Sequence, residues 1–417
     1  MNVFRRFSAP ADLDPIQKKN YQNVQIDAVG VGLANAAAPF LPVFLARMAA
    51  SSFQIGLLTA MPALTGLLLS LPLGSFLQKQ RNIVPWFSAT RLGVIFCYAL
   101  TGFASILLPE KLVVSGVLLI WALATIPQNM LSICFSVVMN AVAGSKGRFE
   151  LMARRWTILG LTTAIAVFFI GQRLDKIVFP INYQQVFIAL SIGGLISYFF
   201  SRRITIPDSI PQPAVRGKSI RENILSFIEP IKLEKPFISF VLKRFFYTSG
   251  IALATPLFPL YFVRVVKMPD SWIALISTTQ TAILIIGYLF WTRQSRTRGS
   301  RNVLLWSTFG LSLYPFLAAM TRVPIVITVI AGIAGIFQAG LDLVFFDELM
   351  KTVPPEKSAT FVSVGNMFQY MAQIVSPLLG TTLSEWIGIG PALIIASVIR
   401  IVGFGLFLLS KPSTQSY

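Results

Sequence analysis

Twelve apolar stretches, each long enough to cross a membrane, dominate this sequence of 417 residues. A helix needs about 20 residues to span the hydrocarbon core of a bilayer. Charged residues make up only 12% of the chain, about half the usual fraction in soluble domains. The sequence therefore predicts an all-α polytopic membrane protein with twelve transmembrane helices. The predicted spans are 22–46, 53–77, 84–108, 112–140, 154–174, 183–203, 236–263, 271–291, 303–320, 324–349, 358–383 and 388–410.

The basic residues indicate how the chain is oriented. With the N-terminus inside, 24 of the 35 Lys and Arg residues lie in cytoplasmic segments, 7 lie in outer loops and 4 lie within spans. Cytoplasmic loops of membrane proteins carry such an excess. We therefore predict an integral protein of the cell membrane with both termini in the cytoplasm. The basic residues are scattered over short loops and form no stripe with interleaved aromatic residues, so nucleic acid is not a predicted partner.

One long polar connection divides the spans into two sets of six. Within it, Ile220, Ile224, Leu225 and Ile228 share one helical face, which predicts a short amphipathic helix at the inner membrane surface. An unstructured linker is the alternative. The predicted organisation is a cytoplasmic tail at 1–20, an N-terminal six-helix bundle at 21–203, a cytoplasmic linker at 204–235, a C-terminal six-helix bundle at 236–410 and a tail at 411–417.

The first and seventh spans carry the same pattern of two prolines and a terminal arginine. Prolines inside a span are costly unless other groups bind the freed carbonyls, so their recurrence is informative. The two basic loops that follow also end alike, in Arg-Asn. We interpret this as an internal repeat, with two unrelated kinks as the alternative. The matched residues, offset by 217, are Pro39, Pro42 and Arg47 against Pro256, Pro259 and Arg264.

Six spans, a cytoplasmic connection and six related spans resemble the major facilitator superfamily over residues 20–410. The family motif between spans two and three is G-x-L-a-D-r-x-G-r-r. Here Gly74 and one basic residue match it, whereas Gln78 replaces the aspartate and Arg81 replaces the second glycine. The chain is thus identified as a divergent member. The resemblance implies a secondary active transporter that moves a small solute by alternating access and that functions as a monomer in the lipid bilayer.

The resemblance also implies that spans one, four, seven and ten line a central cavity. Polar groups at membrane depth usually face the bundle interior or a wet cavity. Most such groups of this sequence fall on those four spans and on span eleven. Their alternative role is hydrogen bonding between helices. The predicted cavity residues are Asn35, Gln128, Asn129, Gln338, Asn366, Gln369 and Gln373.

Two carboxylates at membrane depth, Asp342 and Asp27, are the candidate proton-coupling groups. A buried carboxylate can exchange a proton near neutral pH. A permanent ion pair of Asp342 with Arg244 or Lys243 is the alternative. We predict inner gate ion pairs among charges near the cytoplasmic ends of spans, with Arg155 opposite Glu348, and solvated membrane-edge charges as the alternative. The gate candidates are Arg154, Arg155, Arg244, Asp347 and Glu348.

Catalytic and cofactor motifs find no support in the sequence. The chain has no histidine, no G-x-S-x-G, no Walker loop and no C-x-x-C, and both cysteines, Cys97 and Cys134, lie within spans. We therefore predict no enzymatic activity, no metal, no cofactor and no ATP-driven pumping. Many Phe and Met beside few charges favour a neutral or amphipathic solute, with export as one option. The alternatives are a non-transporting membrane receptor or assembly protein and a lipid translocator. Arg400, deep in span twelve, is expected to meet a carboxylate or a lipid headgroup.

Overall fold

The computed structural model describes residues 14–207, 234–352 and 358–410, and every regular element in these ranges is a helix. In the first half the helices are α1 Pro15–Asn35, α2 Phe40–Arg47, α3 Ser52–Gln78, α4 Val84–Leu107, α5 Glu110–Leu174 and α6 Ile181–Ser201. In the second half they are α7 Lys235–Ala254, α8 Leu257–Leu260, a π-helical turn Tyr261–Val266, α9 Asp270–Arg298, α10 Ser300–Ala319, α11 Pro324–Lys351, α12 Ser358–Ile387 and α13 Ile389–Leu408. The predicted amphipathic helix of the linker and most of both predicted tails lie outside the described residues.

The number of apolar helices agrees with the predicted membrane fold. By length and composition, eleven helical segments of the described ranges could cross a membrane, and they match predicted spans one to ten and twelve. The helix α12 occupies the place of span eleven. It has 30 residues and carries the three amides Asn366, Gln369 and Gln373. The prediction of an all-α polytopic membrane protein is therefore confirmed.

The fourth and fifth predicted spans differ from the structure in one respect. We predicted a loop at 141–153, whereas α5 continues through it as one helix of 65 residues. The physical reason is that no proline follows Pro127 in this helix, so nothing removes a backbone donor from the helical ladder. The two apolar segments Glu110–Val142 and Leu151–Leu174 within α5 still correspond to the two predicted spans.

Both proline pairs interrupt their spans. The first span breaks between α1 and α2, where Ala38 N donates to Asn35 O at 3.0 Å. In a regular helix the Asn35 carbonyl would accept from the N–H of residue 39, but Pro39 has no N–H. The bond from Ala38 gives this carbonyl a donor. The seventh span breaks at 255–256, between α7 and α8. The repeat seen in the sequence is thus a repeat of local backbone structure.

The described residues form two compact units. The first contains 14–44 and 68–207, and the second contains 45–67, 234–352 and 358–410. The segment Leu45–Leu67, which includes the end of α2 and the first part of α3, therefore belongs to the second unit. The sequence placed this segment in the N-terminal bundle. Its membership agrees with its contacts with the start of α9 and with the π-helical turn, which are described below.

The first unit contains a very close approach of α1 and α6. A Cβ atom added at Gly30 would lie 2.5 Å from Gly193 O, and one added at Gly193 would lie 2.6 Å from Gly30 O. Both obstacles are backbone atoms, which cannot move aside as a flexible side chain can. Glycine is therefore required at both positions for this helix pair to pack.

We expect Gly30→Ala to lower the free energy of unfolding by about 1–3 kcal/mol, the usual cost of overpacking a core. The matched control is Gly74→Ala in α3 of the same unit, because nothing lies within 4 Å of its added Cβ. Alanine there should be neutral or stabilising by up to about 1 kcal/mol. Thermal unfolding midpoints of the purified proteins in detergent would measure both effects. Equal midpoints for the two variants would contradict the close packing of α1 on α6.

Candidate functional site

One predicted coupling carboxylate, Asp342, is held by two neutral donors. Gln338 Nε2 donates to Asp342 Oδ1 at 2.7 Å, from one turn earlier on α11. Tyr288 on α9 donates its hydroxyl hydrogen to Oδ2 at 2.9 Å. Asp342 remains exposed. Both oxygens of Asp342 thus have neutral donors, and the Arg244 guanidinium lies 5.2 Å from the centre of the Phe345 ring.

The predicted amide residues are accessible to different degrees. Exposed polar groups in the middle of a membrane span are unfavourable against lipid, so they favour a wet or ligand-filled surrounding. Asn129 binds its own helix, because its Nδ2 donates to Thr125 O at 2.9 Å. Asn366 and Gln373 lie seven positions apart and therefore on one face of α12. The exposed amides are Asn35, Asn366 and Gln373, and the half-buried ones are Gln128, Asn129, Gln338 and Gln369.

The other candidate carboxylate, Asp27, lies in a buried charge cluster within the first unit. Its side chain is fully buried, and those of Arg91 and Arg155 are each 3% exposed. Asp27 Oδ1 is 3.3 Å from Arg91 Nη1, and Oδ2 is 3.4 Å from Arg155 Nη2. Ser197 donates its hydroxyl hydrogen to Oδ1 at 2.6 Å. One carboxylate thus joins α1, α4, α5 and α6.

Two arginines against one carboxylate leave an excess of positive charge in this cluster. Aromatic rings partly compensate for the missing second carboxylate, because a guanidinium is attracted to the face of an aromatic ring. Arg91 lies 4.5 Å from the centre of the Phe87 ring, and Arg155 lies 4.6 Å from that of Phe135. The Nε atoms of both arginines are buried without a hydrogen-bond partner. Asp27 is therefore the group on which two buried cations depend.

The predicted gate residues have local partners in this structure. Lys351 Nζ lies 2.9 Å from Asp347 Oδ2 and 2.9 Å from Glu348 Oε1, all at the end of α11. Ser300, the first residue of α10, donates to the same Glu348 oxygen. Arg155 binds Asp27 and is 3% exposed, on the face of α5 that packs against α1. Arg154 beside it is half-buried.

The deep arginine of the last span is bound by backbone. Arg400 on α13 is 3% exposed, and its Nη1 donates to Leu311 O on α10 at 3.2 Å. Gly250 on α7 leaves room for its aliphatic part, since a Cβ there would meet Arg400 Cγ at 2.8 Å. The expected lipid headgroup is incompatible with this burial. A backbone carbonyl of the neighbouring helix takes that role instead.

An arginine outside our predicted set, Arg47, binds the loop before α9. It ends α2, and its Nη2 donates to Met268 O at 3.0 Å. The same Nη2 lies 2.7 Å from Asp270 Oδ1, and Nε donates to that oxygen at 3.1 Å. Asp270 begins α9, where the helix dipole favours a carboxylate. The Asp270 side chain is only 6% exposed, so its pairing with Arg47 is largely shielded from solvent.

The repeat-related arginine, Arg264, makes the reciprocal contacts. Its Nη2 donates to Ala50 O, and its Nη1 donates to Ser52 Oγ at 3.1 Å. Ser52 begins α3 as Asp270 begins α9. Each arginine therefore binds the backbone carbonyl of a loop residue and the side chain of the first residue of the helix after that loop. In both cases the loop follows the other arginine in the chain. We call these four interactions the reciprocal arginine contacts, and all of their residues lie in the second unit.

The two loops that these arginines bind share their backbone geometry. Ala49 and Lys267 both adopt the left-handed region, with φ of 59° and 58°. Their offset is 218, one more than the offset of the arginines. The π-helical turn Tyr261–Val266 accounts for the difference, because a π-helix accommodates one extra residue in a helical turn. The sequence signal for this site was the shared terminal arginine, which we recognised as a repeat without recognising it as a site.

The fold is that of solved membrane transporters. The nucleoside transporter NupG has a TM-score of 0.72 over 93% of this chain and 99% of its own, at 13% identity. A bacterial homologue of the human lysosomal transporter Spinster, in an inward-facing conformation, has a TM-score of 0.72 over 95% of this chain and 97% of its own, at 14% identity. A bacterial homologue of the iron transporter ferroportin, also inward-facing, has a TM-score of 0.69 over 98% of this chain and 99% of its own, at 12% identity. The fold class is thus that of polytopic membrane transporters.

Sequence comparison matches part of the chain to a family. The sequence pattern of the Major Facilitator Superfamily matches residues 240–417. No curated protein sequence matches the chain. The predicted resemblance to this superfamily is thus confirmed in the sequence of the second half, and nearly the whole chain has the fold of the transporters above. Transmembrane transport is the general function that these findings support.

Proposed function

We propose that this protein is a secondary active transporter that moves a small solute by alternating access. The observation that carries the proposal is the set of four reciprocal arginine contacts. They join residues from the two sequence repeats at equivalent positions, on the side of the membrane opposite the chain termini. Alternating access through a site between internal repeats requires a closure on each side that forms and breaks. Contacts duplicated by the repeat are suited to such a closure.

The composition of these contacts also supports a reversible closure. Arg47 remains 28% exposed, so water can replace its protein partners when the contact opens. A hydrogen bond to a charged group contributes about 1.5–3 kcal/mol, which a transport cycle can overcome. The Asp27 cluster offers a contrast. Its charged side chains are almost completely buried, so opening would leave them without partners.

We place the coupling group at Asp342. It is an exposed carboxylate whose bound donors, Gln338 and Tyr288, are both neutral, so neither fixes its charge by a full ion pair. Proton binding at Asp342 would remove a charge from membrane depth, and proton release would restore it. The amides of α11 and α12 supply donors and acceptors for a polar uncharged group of the solute. A neutral or amphipathic solute, a nucleoside for example, fits this chemistry.

Uptake or efflux in proteoliposomes tests the proposal. Purified protein would be reconstituted and assayed with labelled nucleosides, sugars, amino acids and amphipathic drugs, with and without an imposed pH gradient. We expect solute to accumulate against its own gradient only when the pH gradient is present. Binding of a solute without flux would favour the receptor alternative. Flux of labelled lipid in place of a soluble solute would favour the lipid translocator.

Asp342→Asn is expected to abolish gradient-driven accumulation and to leave solute exchange across the membrane in place. Asparagine keeps the size of the side chain and can accept the bond from Gln338 with its one oxygen, and its amide nitrogen can donate to the Tyr288 oxygen, but it cannot carry the proton. The matched control is Asp347→Asn on the same helix, because Asp347 is exposed and paired only locally with Lys351. The measurement is accumulation and exchange at two pH values. Accumulation by Asp342→Asn at the wild-type level would remove Asp342 from the coupling role.

A further inference from the structure

A pocket at the far end of α9 has no role in the transport cycle described above. It lies at the end of α9 opposite Asp270, between α9, α10 and α11. Its volume is about 440 Å³, within the range of pockets that hold small ligands. The residues that line it on three helices are Phe290, Trp291, Gln294, Arg298, Asn302, Val303, Trp306, Ile336 and Phe337.

The walls of the pocket are apolar and face the surroundings of the helices. Phe290 is 49% exposed and Trp306 is 61% exposed. In a membrane-spanning chain, large exposed aromatic side chains of this kind contact lipid, and tryptophan concentrates at the level of the headgroups. Trp291 is fixed in the wall, because its Nε1 donates to Ile336 O at 2.7 Å. Its ring therefore offers an ordered apolar surface.

The polar end of the pocket is basic. Arg298 and Gln294 close it on α9, and Asn302 closes it on α10. Asn302 Nδ2 donates to Arg298 O at 2.8 Å, which ties the start of α10 to the end of α9. The Arg298 side chain is exposed and points its charge to a ligand or to solvent. A guanidinium beside an amide binds a phosphate oxygen well.

The surrounding sequence strengthens the positive field at this end. Four arginines fall within nine residues, and no acidic residue occurs anywhere between Asp270 and Asp342. The acidic group that does reach the start of α10 is Glu348, and Ser300 and Lys351 already bind it. The local charge therefore favours an anion. The four arginines are Arg293, Arg296, Arg298 and Arg301.

We propose that this pocket binds one anionic phospholipid of the leaflet on the side of the chain termini. The phosphodiester lies against Arg298 and Asn302, and the upper part of an acyl chain lies along Phe290 and Trp306. Basic pockets between membrane helices on this side are the places where anionic headgroups bind. The aromatic wall distinguishes a lipid from a free phosphate, because only a lipid covers both the basic and the apolar parts of the pocket.

The test uses the full-length protein, purified in detergent and freed of native lipid. Phosphatidylglycerol, phosphatidylcholine with the same chains, and inorganic phosphate would each be titrated, with bound lipid counted by native mass spectrometry. We expect saturable binding of one phosphatidylglycerol. Arg298→Gln should weaken that binding at least tenfold, whereas Arg293→Gln on the same helix, outside the pocket, should change it less than twofold. Trp306→Ala should weaken it as well.

Three results would overturn the proposal. Equal affinity for phosphatidylglycerol and phosphatidylcholine would show that the charge of Arg298 is not used. Equal loss in Arg298→Gln and Arg293→Gln would show a diffuse surface attraction. Displacement of phosphatidylglycerol by inorganic phosphate at equal concentration would show a simple anion site. Because Arg298 is exposed, its variant should fold normally, and an unchanged thermal midpoint without lipid would verify this.

Discussion

Replacing Asp27 by asparagine is expected to destabilise the first unit by about 3–5 kcal/mol, enough to prevent recovery of folded protein. The substitution preserves the shape of the side chain but leaves the guanidinium groups of Arg91 and Arg155 without their shared counter-charge. Both are buried, so water cannot replace the carboxylate. The folded yield by size-exclusion chromatography in detergent and the thermal midpoint of any recovered protein would measure the loss.

The control for Asp27 is Ser197→Ala, which removes only the neutral donor to the same carboxylate. Loss of one such hydrogen bond should cost about 1 kcal/mol. A wild-type midpoint for Asp27→Asn would contradict the structural role. If that midpoint were accompanied by loss of the pH dependence of transport, Asp27 and not Asp342 would be the proton-coupling carboxylate.

Exchanging the charges of Arg47 and Asp270 is expected to show the second large effect. Each single variant, Arg47→Asp or Asp270→Arg, places two like charges together. The rate of transport should therefore fall roughly tenfold or more. A tenfold fall corresponds to a free energy of closure that is less favourable by about 1.4 kcal/mol. The double variant should recover a substantial part of the activity, because the ion pair is restored in reverse. Recovery should be incomplete, since an arginine at the start of α9 opposes the helix dipole. Initial rates of solute uptake into proteoliposomes are the measurement.

A matched control separates closure from general surface charge. Arg322→Asp changes an exposed arginine in the loop before α11 that is not one of the reciprocal-contact residues, and it should leave the uptake rate within twofold of wild type. The thermal midpoint of every variant would be compared first, so that unfolding is not taken for lost transport. Failure of the double variant to exceed either single variant, with normal midpoints for all three, would show that the pair does not control access.

The sequence was most informative where a property depends on neighbouring residues. Hydropathy located every membrane helix to within a few residues, apart from the start of α1 at Pro15, the end of α9 at Arg298 and the continuous α5. The offset between the repeats predicted two related interruptions, which the structure shows at Pro39 and Pro256. It also put Gln338 and Asp342 on one face of a helix, where they do form a hydrogen bond. Each of these follows from the helical period or from the missing proline N–H.

Partner choice was not predictable in the same way. Arg155 was expected opposite Glu348, because both lie near the ends of spans and carry opposite charge. Its partner is Asp27, 128 positions away, on a helix that packs against α5 inside the same unit. Tyr288 was absent from the predicted site, because a tyrosine in a membrane span carries no signal until its neighbour across the helices is known.

The sequence by itself determined that lipid surrounds most of the chain, how many apolar spans the chain has and that its two halves repeat. The reason is that apolar length, loop charge and proline spacing are properties of the chain. The tertiary structure alone decided which charges meet. Asp27 and Ser197 lie 170 positions apart, and Arg47 and Asp270 lie 223 apart. Packing brings them to within 3 Å, and no local pattern encodes such distances. Whether a charge becomes a buried structural anchor, like Asp27, or part of a partly exposed closure, like Arg47, therefore depends on the burial that the fold imposes.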